Sequence, residues 1–230
     1  DLRLKYFYAC EHTTLGEARN LAISETSGLW ISFLDVDDLW REDKLEKQVH
    51  VVDKFEDIGF VYGKSEIISF NNIPKTGSSI NQLLEGDIFS ELLKDNFVYY
   101  LSALINKDKL LKIPRIPENL TQVEDYYIFL HLAKLYRVVA IQEICCSYRL
   151  HDSNLSRKKP IEGAKEALEL IKSFLPDIRA KNALKYKLSA LAIAQIKQRQ
   201  YLNASYTLIR GGLGQFTKRF ISYLIKQKKI

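Results

Sequence analysis

A chain of 230 residues, 47% of them apolar, can bury one sizeable core as a large domain or as a domain with a helical appendage. Its net charge of +6 fits an anionic ligand or a membrane surface and gives no argument by itself for a nucleic-acid partner. Three cysteines, two of them adjacent (Cys145, Cys146), make neither a metal-type spacing nor a disulfide framework, which points to a reducing compartment. No apolar run approaches the ~18 residues that cross a bilayer, so the expectation is a soluble, cytoplasmic protein. The sequence begins at Asp1 and contains no methionine, which marks it as an expected fragment.

Leu2 to Ala9 alternates apolar and basic residues and then turns aromatic, a strand pattern. Thr13 or Thr14 can cap a helix from about Gly16 to Thr26, with Ala18, Leu21, Ala22 and Ile23 as its apolar stripe and Gly28 at its end. Ile31-Ser-Phe-Leu-Asp-Val-Asp-Asp-Leu-Trp40 follows at once. Its apolar start predicts a strand buried on both faces. Such a strand cannot also bury Asp35, Asp37 and Asp38, so they belong where it emerges, the edge at which open α/β sheets bind ligands. Alternate residues of extended chain point the same way, so Asp35 and Asp37 can face one crevice. Two hard oxygen donors there suit Mg²⁺ or Mn²⁺ beside a diphosphate. The spacing alone leaves equally open that the acids cap the next helix. Strand, helix and strand with short links predict a parallel, right-handed βαβ unit.

Asp43 to Phe55 places Leu45, Val49 and Val52 at helical spacing, and Ile58 to Phe70 reads as a strand. Residues 71–82 are turn chemistry. A short helix over Asp87–Lys94, a strand over Tyr99–Ile105 and a break at Ile113–Pro117 come next. Thr121-Gln-Val-Glu124 matches a capping box, so Glu124 and Asp125 have a purely local explanation beside the alternative of a general base at a helix start. The helix continues to Tyr136, and Arg137–Tyr148 reads as a strand. His50 and His131 sit in helical patterns and read as packing or surface residues. His151 lies among polar loop residues beyond a strand, where metal ligation and plain solvation weigh equally. After Pro160 the chain becomes helical: Ile161–Phe174, Ile178–Gln198 and Tyr201–Ile209. A basic amphipathic segment, Phe216–Lys228, packs on its neighbours or lies on an anionic membrane.

In order, Gly16-Glu-Ala-Arg-Asn20, Trp30-Ile-Ser-Phe-Leu-Asp-Val-Asp-Asp-Leu-Trp40, Val123-Glu-Asp-Tyr126 and Tyr148-Arg-Leu-His151 resemble the motifs of family 2 glycosyltransferases. The resemblance covers Asp1 to about Ser156. It implies an α/β class of GT-A (Rossmann-like) type, a mixed and mainly parallel sheet flanked by helices, over residues 1–157, with an all-helical extension over 158–230. It implies that Asp35 contacts the donor's ribose or the metal, that Asp37 ligates Mg²⁺ or Mn²⁺, and that Asp38 supports the turn. Arg19, with Asn20 beside it, would reach the nucleotide or its phosphates. Asp125 would be the base toward the acceptor hydroxyl, Glu124 would shape the acceptor pocket, and His151 is a further metal ligand candidate.

The implied activity is metal-dependent, inverting transfer from a nucleotide-sugar, most simply a UDP-sugar, to a glycan or glycolipid acceptor in bacterial surface polysaccharide synthesis. The family's domain opens with a strand, a helix and a second strand whose aspartate reads the base. None of these precedes Asp1 here, so an N-terminally truncated domain with weak donor binding is expected. The rival reading is a non-catalytic remnant that binds carbohydrate or protein. The expected location is cytoplasmic, with peripheral contact at the inner face of the membrane through the terminal basic helix.

Overall fold

The computed structural model describes residues 3–74 and 82–211, with Gly214, Phe216, Thr217 and Phe220 beyond them. Its elements in order are α1 (Leu15–Glu25), β1 (Trp30–Ile31), β2 (Leu39–Trp40), α2 (Lys44–Val52), β3 (Ile58–Ile68), α3 (Phe89–Lys94), a 3-10 turn (Tyr100–Ser102) and β4 (Ala103–Asn106). There follow α4 (Lys107–Leu110), α5 (Glu124–Leu135), β5 (Arg137–Arg149), α6 (Leu155–Lys158), α7 (Pro160–Lys172), α8 (Ile178–Lys197) and α9 (Tyr201–Gly211). Five strands make one mixed sheet in the order β1-β4-β3-β5-β2.

The axis of that sheet is β3 beside β5, parallel from Ile58 opposite Arg137 to Ile68 opposite Arg149. Ile58 to Tyr62 is buried on both faces, as a strand covered by helices on each side must be. Among the described strands this is the parallel pair; β1 with β4, β4 with β3 and β5 with β2 run antiparallel. One face of the sheet packs Phe60, Tyr62 and Ile105 against Phe89, Leu92, Phe129 and Leu130 of α3 and α5. Ile171, Phe174, Ala180 and Ala183 join the same cluster, so the helices after α6 share the core of the sheet domain. The other face packs Val61, Val139 and Cys145 under Val51 and Val52.

Three expectations need correction. The segment from Arg3 to Ala9 forms no strand: Leu4, Tyr6 and Tyr8 are exposed, and β1 pairs antiparallel with β4 instead of closing a parallel βαβ unit. Alternation favours extended backbone, but a strand exists only where a neighbour supplies the ladder. The run after β1 is not buried on both faces either. Ile31 and Phe33 point into the core while Leu34 is exposed. Ser32 leaves the ladder to donate to the Ala103 carbonyl at 2.5 Å, and Phe33 stacks on Tyr100 with centroids 4.5 Å apart.

At α1 the capping box forms around Thr14: its Oγ1 accepts from the Glu17 N–H (3.2 Å), and Glu17 Oε2 accepts from the Thr14 N–H (2.8 Å). Gly16 is needed because a Cβ there would stand 2.6 Å from the Pro117 carbonyl oxygen. The box expected at Thr121–Glu124 does not form. Helix α5 starts at Glu124 itself, and Thr121 donates its hydroxyl (2.6 Å) to Glu166 of α7. Of the loop expected over 71–82, residues 75–81 lie outside the described residues, as does most of the terminal basic segment.

Candidate functional site

The turn after β1 is built from both ends. The Asp38 N–H donates to the Asp35 carbonyl (3.1 Å), and β2 then pairs with β5, Leu39 opposite Ser147 and Trp40 opposite Cys146. That register brings the end of β5 against the aspartates. The Arg149 N–H donates to Asp38 Oδ1 (2.8 Å), and Arg149 Nε donates to the Asp37 carbonyl (2.6 Å). The same guanidinium donates to the Phe70 carbonyl (2.9 Å) and to Asn72 Oδ1 (2.6 Å), tying the turn after β3 to the aspartate turn. Burial, with Asp37 and Asp35 adding to it, raises the Asp38 carboxyl to about 6 against the bond from Arg149. Asp38 therefore holds the turn from inside, while Asp35 and Asp37 remain partly open to solvent.

His151 Nε2 lies 2.7 Å from Asp37 Oδ2, and its Nδ1 lies 2.6 Å from Ser153 Oγ. Asp35 Oδ1 accepts from the Arg19 guanidinium at 2.6 Å. Arg19 in turn lies over the Tyr100 ring (4.9 Å) and the Phe33 ring (5.3 Å), a stacked platform that fixes its plane. Asn20 does not face this crevice, contrary to its expected contact with the donor. It is buried and donates to the Ile116 carbonyl (2.8 Å), fastening α1 to the loop before α5.

The second acidic pair arrives on α5. Glu124, 6% exposed, has an Oε2 without a hydrogen-bond partner, and burial raises its carboxyl. Asp125 is pushed up to about 7, first by burial and then by the Glu124 charge, against bonds from the Tyr126 N–H (2.5 Å) and Asn96 Nδ2 (3.4 Å). The Tyr100 hydroxyl is buried, feels Arg19, Asp125, Glu124 and Asp35 together, and also lacks a partner, as does Arg19 Nε. Unpaired buried polar atoms are rare, and three of them meet here. The chemistry they leave open is a donor from Tyr100, a donor from Arg19 and an acceptor from Glu124, which is complementary to a polyhydroxylated or phosphorylated ligand.

Sequence reasoning missed Tyr100, whose position in a 3-10 turn has no periodic signal. It also missed Lys44. Leu45 and Val49 are exposed, and α2 buries Lys44 and Gln48 instead. Lys44 Nζ donates to Ser32 Oγ and Gln48 Oε1, both at 2.8 Å, and sits 4.2 Å above the Trp40 ring. Burial lowers this ammonium to about 8. The pair at i and i+4 was the available signal.

Among the described residues no three His, Cys, Asp or Glu side chains converge as a preformed metal cage. Asp35, Asp37 and His151 nevertheless fit a divalent ion by donor type. The Ser153 contact can fix the ring so that Nε2 presents its lone pair, the usual arrangement behind a ligating histidine.

The family model described as glycosyltransferase like family 2 matches residues 1–205. The chain belongs to that family. Family 2 relatives include WfgD of Escherichia coli, a UDP-Glc:alpha-D-GlcNAc-diphosphoundecaprenol beta-1,3-glucosyltransferase, 35% identical over 146 residues, which are 62% of this chain and 54% of that protein. Another is TuaG of Bacillus subtilis, a putative teichuronic acid biosynthesis glycosyltransferase, 26% identical over 69% of this chain and 62% of that one. The chain thus spans between about half and two thirds of the length of these relatives. Of solved structures, TarS of S. aureus is similar over 86% of this chain and 60% of its own (TM-score 0.55, 15% identity). A mannosyltransferase of Pyrobaculum calidifontis, solved with GDP-Man and Mn²⁺, is similar over 96% of this chain and 65% of its own (TM-score 0.55, 16% identity). These structural likenesses establish the GT-A fold of the family 2 chain.

Proposed function

We propose that this chain carries the metal and acceptor side of an inverting glycosyltransferase that moves a sugar from a UDP-sugar to an acceptor hydroxyl in bacterial surface polysaccharide or glycolipid synthesis. The observation that carries the reading is the meeting of two acidic sets, Asp35 and Asp37 with Arg19 on one side and Glu124 and Asp125 on the other, around unpaired polar atoms of Arg19, Tyr100 and Glu124. Asp35, Asp37 and His151 would hold Mg²⁺ or Mn²⁺, which when bound offsets the charge of a departing nucleoside diphosphate.

In this reading, Arg19 exchanges Asp35 for a phosphate oxygen, for which its forked donors are suited. Asp125 takes the acceptor proton at its carboxylate. A value of about 7 leaves it half deprotonated near neutral pH while keeping it basic enough to accept that proton. Glu124 accepts from acceptor hydroxyls, and Tyr100 donates to the sugar. One base acting on the acceptor, with no carboxylate assigned as nucleophile, corresponds to direct displacement and hence to inversion. The division at residues 157 and 158 then separates the reacting part from a helical part that shares its core.

The test is calorimetric titration of UDP into the chain with and without Mn²⁺, beside Asp37→Ala. Manganese-dependent binding that the variant loses supports the reading. A folded chain that binds no UDP in either condition leaves the non-catalytic carbohydrate- or protein-binding remnant in its place.

A further inference from the structure

Charge is segregated along this chain. Residues 178–230 contain twelve Lys and Arg and neither Asp nor Glu. The whole chain carries +6, so the first 177 residues carry −6 and residues 178–230 carry +12. The last acid, Asp177, is bound to Arg179 at 2.8 Å. A body of one sign joined to an appendage of the opposite sign directs that appendage toward an anionic surface.

Helix α9 displays what such a surface would meet. Its inner side is buried on α8: Ala204 and Thr207 are covered, Thr207 Oγ1 donates to Gln195 Oε1 (2.9 Å), and a Cβ on Gly211 would stand 2.8 Å from Leu188 Cβ. Its outer side carries Leu202, Tyr206 and Ile209 in one stripe, 88%, 64% and 82% exposed. Tyr201 is exposed beside them, and Arg199 and Arg210 are exposed at the two ends. The Arg210 guanidinium lies 5.8 Å from the Tyr206 ring. Scattered exposed apolar residues are ordinary, but three in register on one helix face, framed by arginines and tyrosines, make the pattern of a helix lying in a bilayer interface. The 11-residue helix cannot cross a bilayer, and no helix among the described residues is long and apolar enough to do so.

We propose that the outer face of α9, with the exposed Arg199 and Arg210 at its ends, docks this chain on an anionic lipid bilayer. Leu202, Tyr206 and Ile209 enter the headgroup boundary while the basic residues neutralise lipid phosphates. A chain of packed helices links the docked face to the acceptor side of the crevice. Helix α9 packs on α8 and α8 on α7, whose Glu166 accepts from the Thr121 hydroxyl (2.6 Å) and the Gln122 N–H (3.0 Å), just before Glu124 and Asp125. Delivery of a lipid-borne acceptor rests on the transferase reading, whereas bilayer binding does not.

The experiment is flotation of the whole chain with vesicles of phosphatidylcholine alone and of phosphatidylcholine mixed with phosphatidylglycerol, at low and high salt. We expect binding to the mixed vesicles to be at least about tenfold tighter than to neutral ones, and high salt to release it. Leu202→Ser with Ile209→Ser, both at exposed positions, should weaken it at least about tenfold with unchanged circular dichroism and unchanged UDP titration. Arg199→Gln with Arg210→Gln should weaken only the anionic-lipid binding. Equal binding to both vesicles, no binding by the folded chain, a stripe variant that binds like the parent, or a stripe that instead holds two copies together in sedimentation velocity would each overturn the proposal.

Discussion

Asp37 and His151 lie 114 positions apart and meet at 2.7 Å, Oδ2 to Nε2. The strand pairing that brings them together starts at Leu39 and Trp40, directly after the aspartate turn, and ends on β5 just before Arg149. If both hold one ion, Asp37→Ala removes Mn²⁺-dependent UDP binding. His151→Ala weakens Mn²⁺ affinity about ten- to hundredfold, read by titration of Mn²⁺ electron paramagnetic resonance.

Asp125 sets the acid side of the pH profile. The rate should fall about tenfold per pH unit below about 7, and Asp125→Asn should lower kcat about 10²–10⁴-fold and remove that limb. Stability carries the opposite sign. A carboxyl raised from 3.8 to about 7 binds more protons when folded, so its contribution declines as pH rises through that window. Thermal melts against pH should show Asp125→Asn gaining on the parent as pH rises from about 4 to about 7 and holding that gain above it. A variant with full activity and a parallel stability curve removes Asp125 from the role of base.

Tyr100→Phe separates ligand contact from packing. The hydroxyl is buried without a partner, so its loss should leave the melting temperature level or raise it, because an unsatisfied group costs roughly 1–3 kcal/mol. The ring's stack on Phe33 stays. If the hydroxyl touches the sugar, KM rises or kcat falls about tenfold at that same stability. Unchanged kinetics would make Tyr100 a packing residue only.

Arg149→Ala should act on the site through its frame. It leaves the Asp37 and Phe70 carbonyls without the guanidinium's N–H groups and unlinks the two turns. A loss of about 2–4 kcal/mol in urea unfolding is expected, with weaker Mn²⁺ binding, and Arg149→Lys should restore only part of both because one ammonium cannot serve the same fork.

Much of this arrangement was readable beforehand. Carboxylates after an apolar run had to lie at a strand's exit, and Thr14 with Glu17 spelled the start of α1. His131, read as a packing or surface residue, lies against Tyr127 and Phe174 and is pushed down to about 4 by burial. Asn20 and Glu124 show the limit. The Asn side chain has equal means to bind a nucleotide or a loop carbonyl, and Glu124 satisfies a capping pattern whose hydroxyl was taken by Glu166. In α2 the apolar spacing pointed to Leu45 and Val49, but the cavity behind the aspartate turn holds Ser32 and the carbonyl of Ser102, so the polar pair Lys44 and Gln48 fills it.

The resemblance of its motifs to a known family implied the GT-A class, and the sequence by itself determined the longer helices and the two long central strands, because periodicity is contained within one element. The tertiary structure alone decided that β1 runs antiparallel to β4, that Arg149 and His151 clasp the aspartate turn, and that Tyr100 stands among Arg19, Glu124 and Asp125. Those relationships depend on which strand lies beside which and in what register. A side chain's own neighbours along the chain carry no record of the partner that a distant segment will supply.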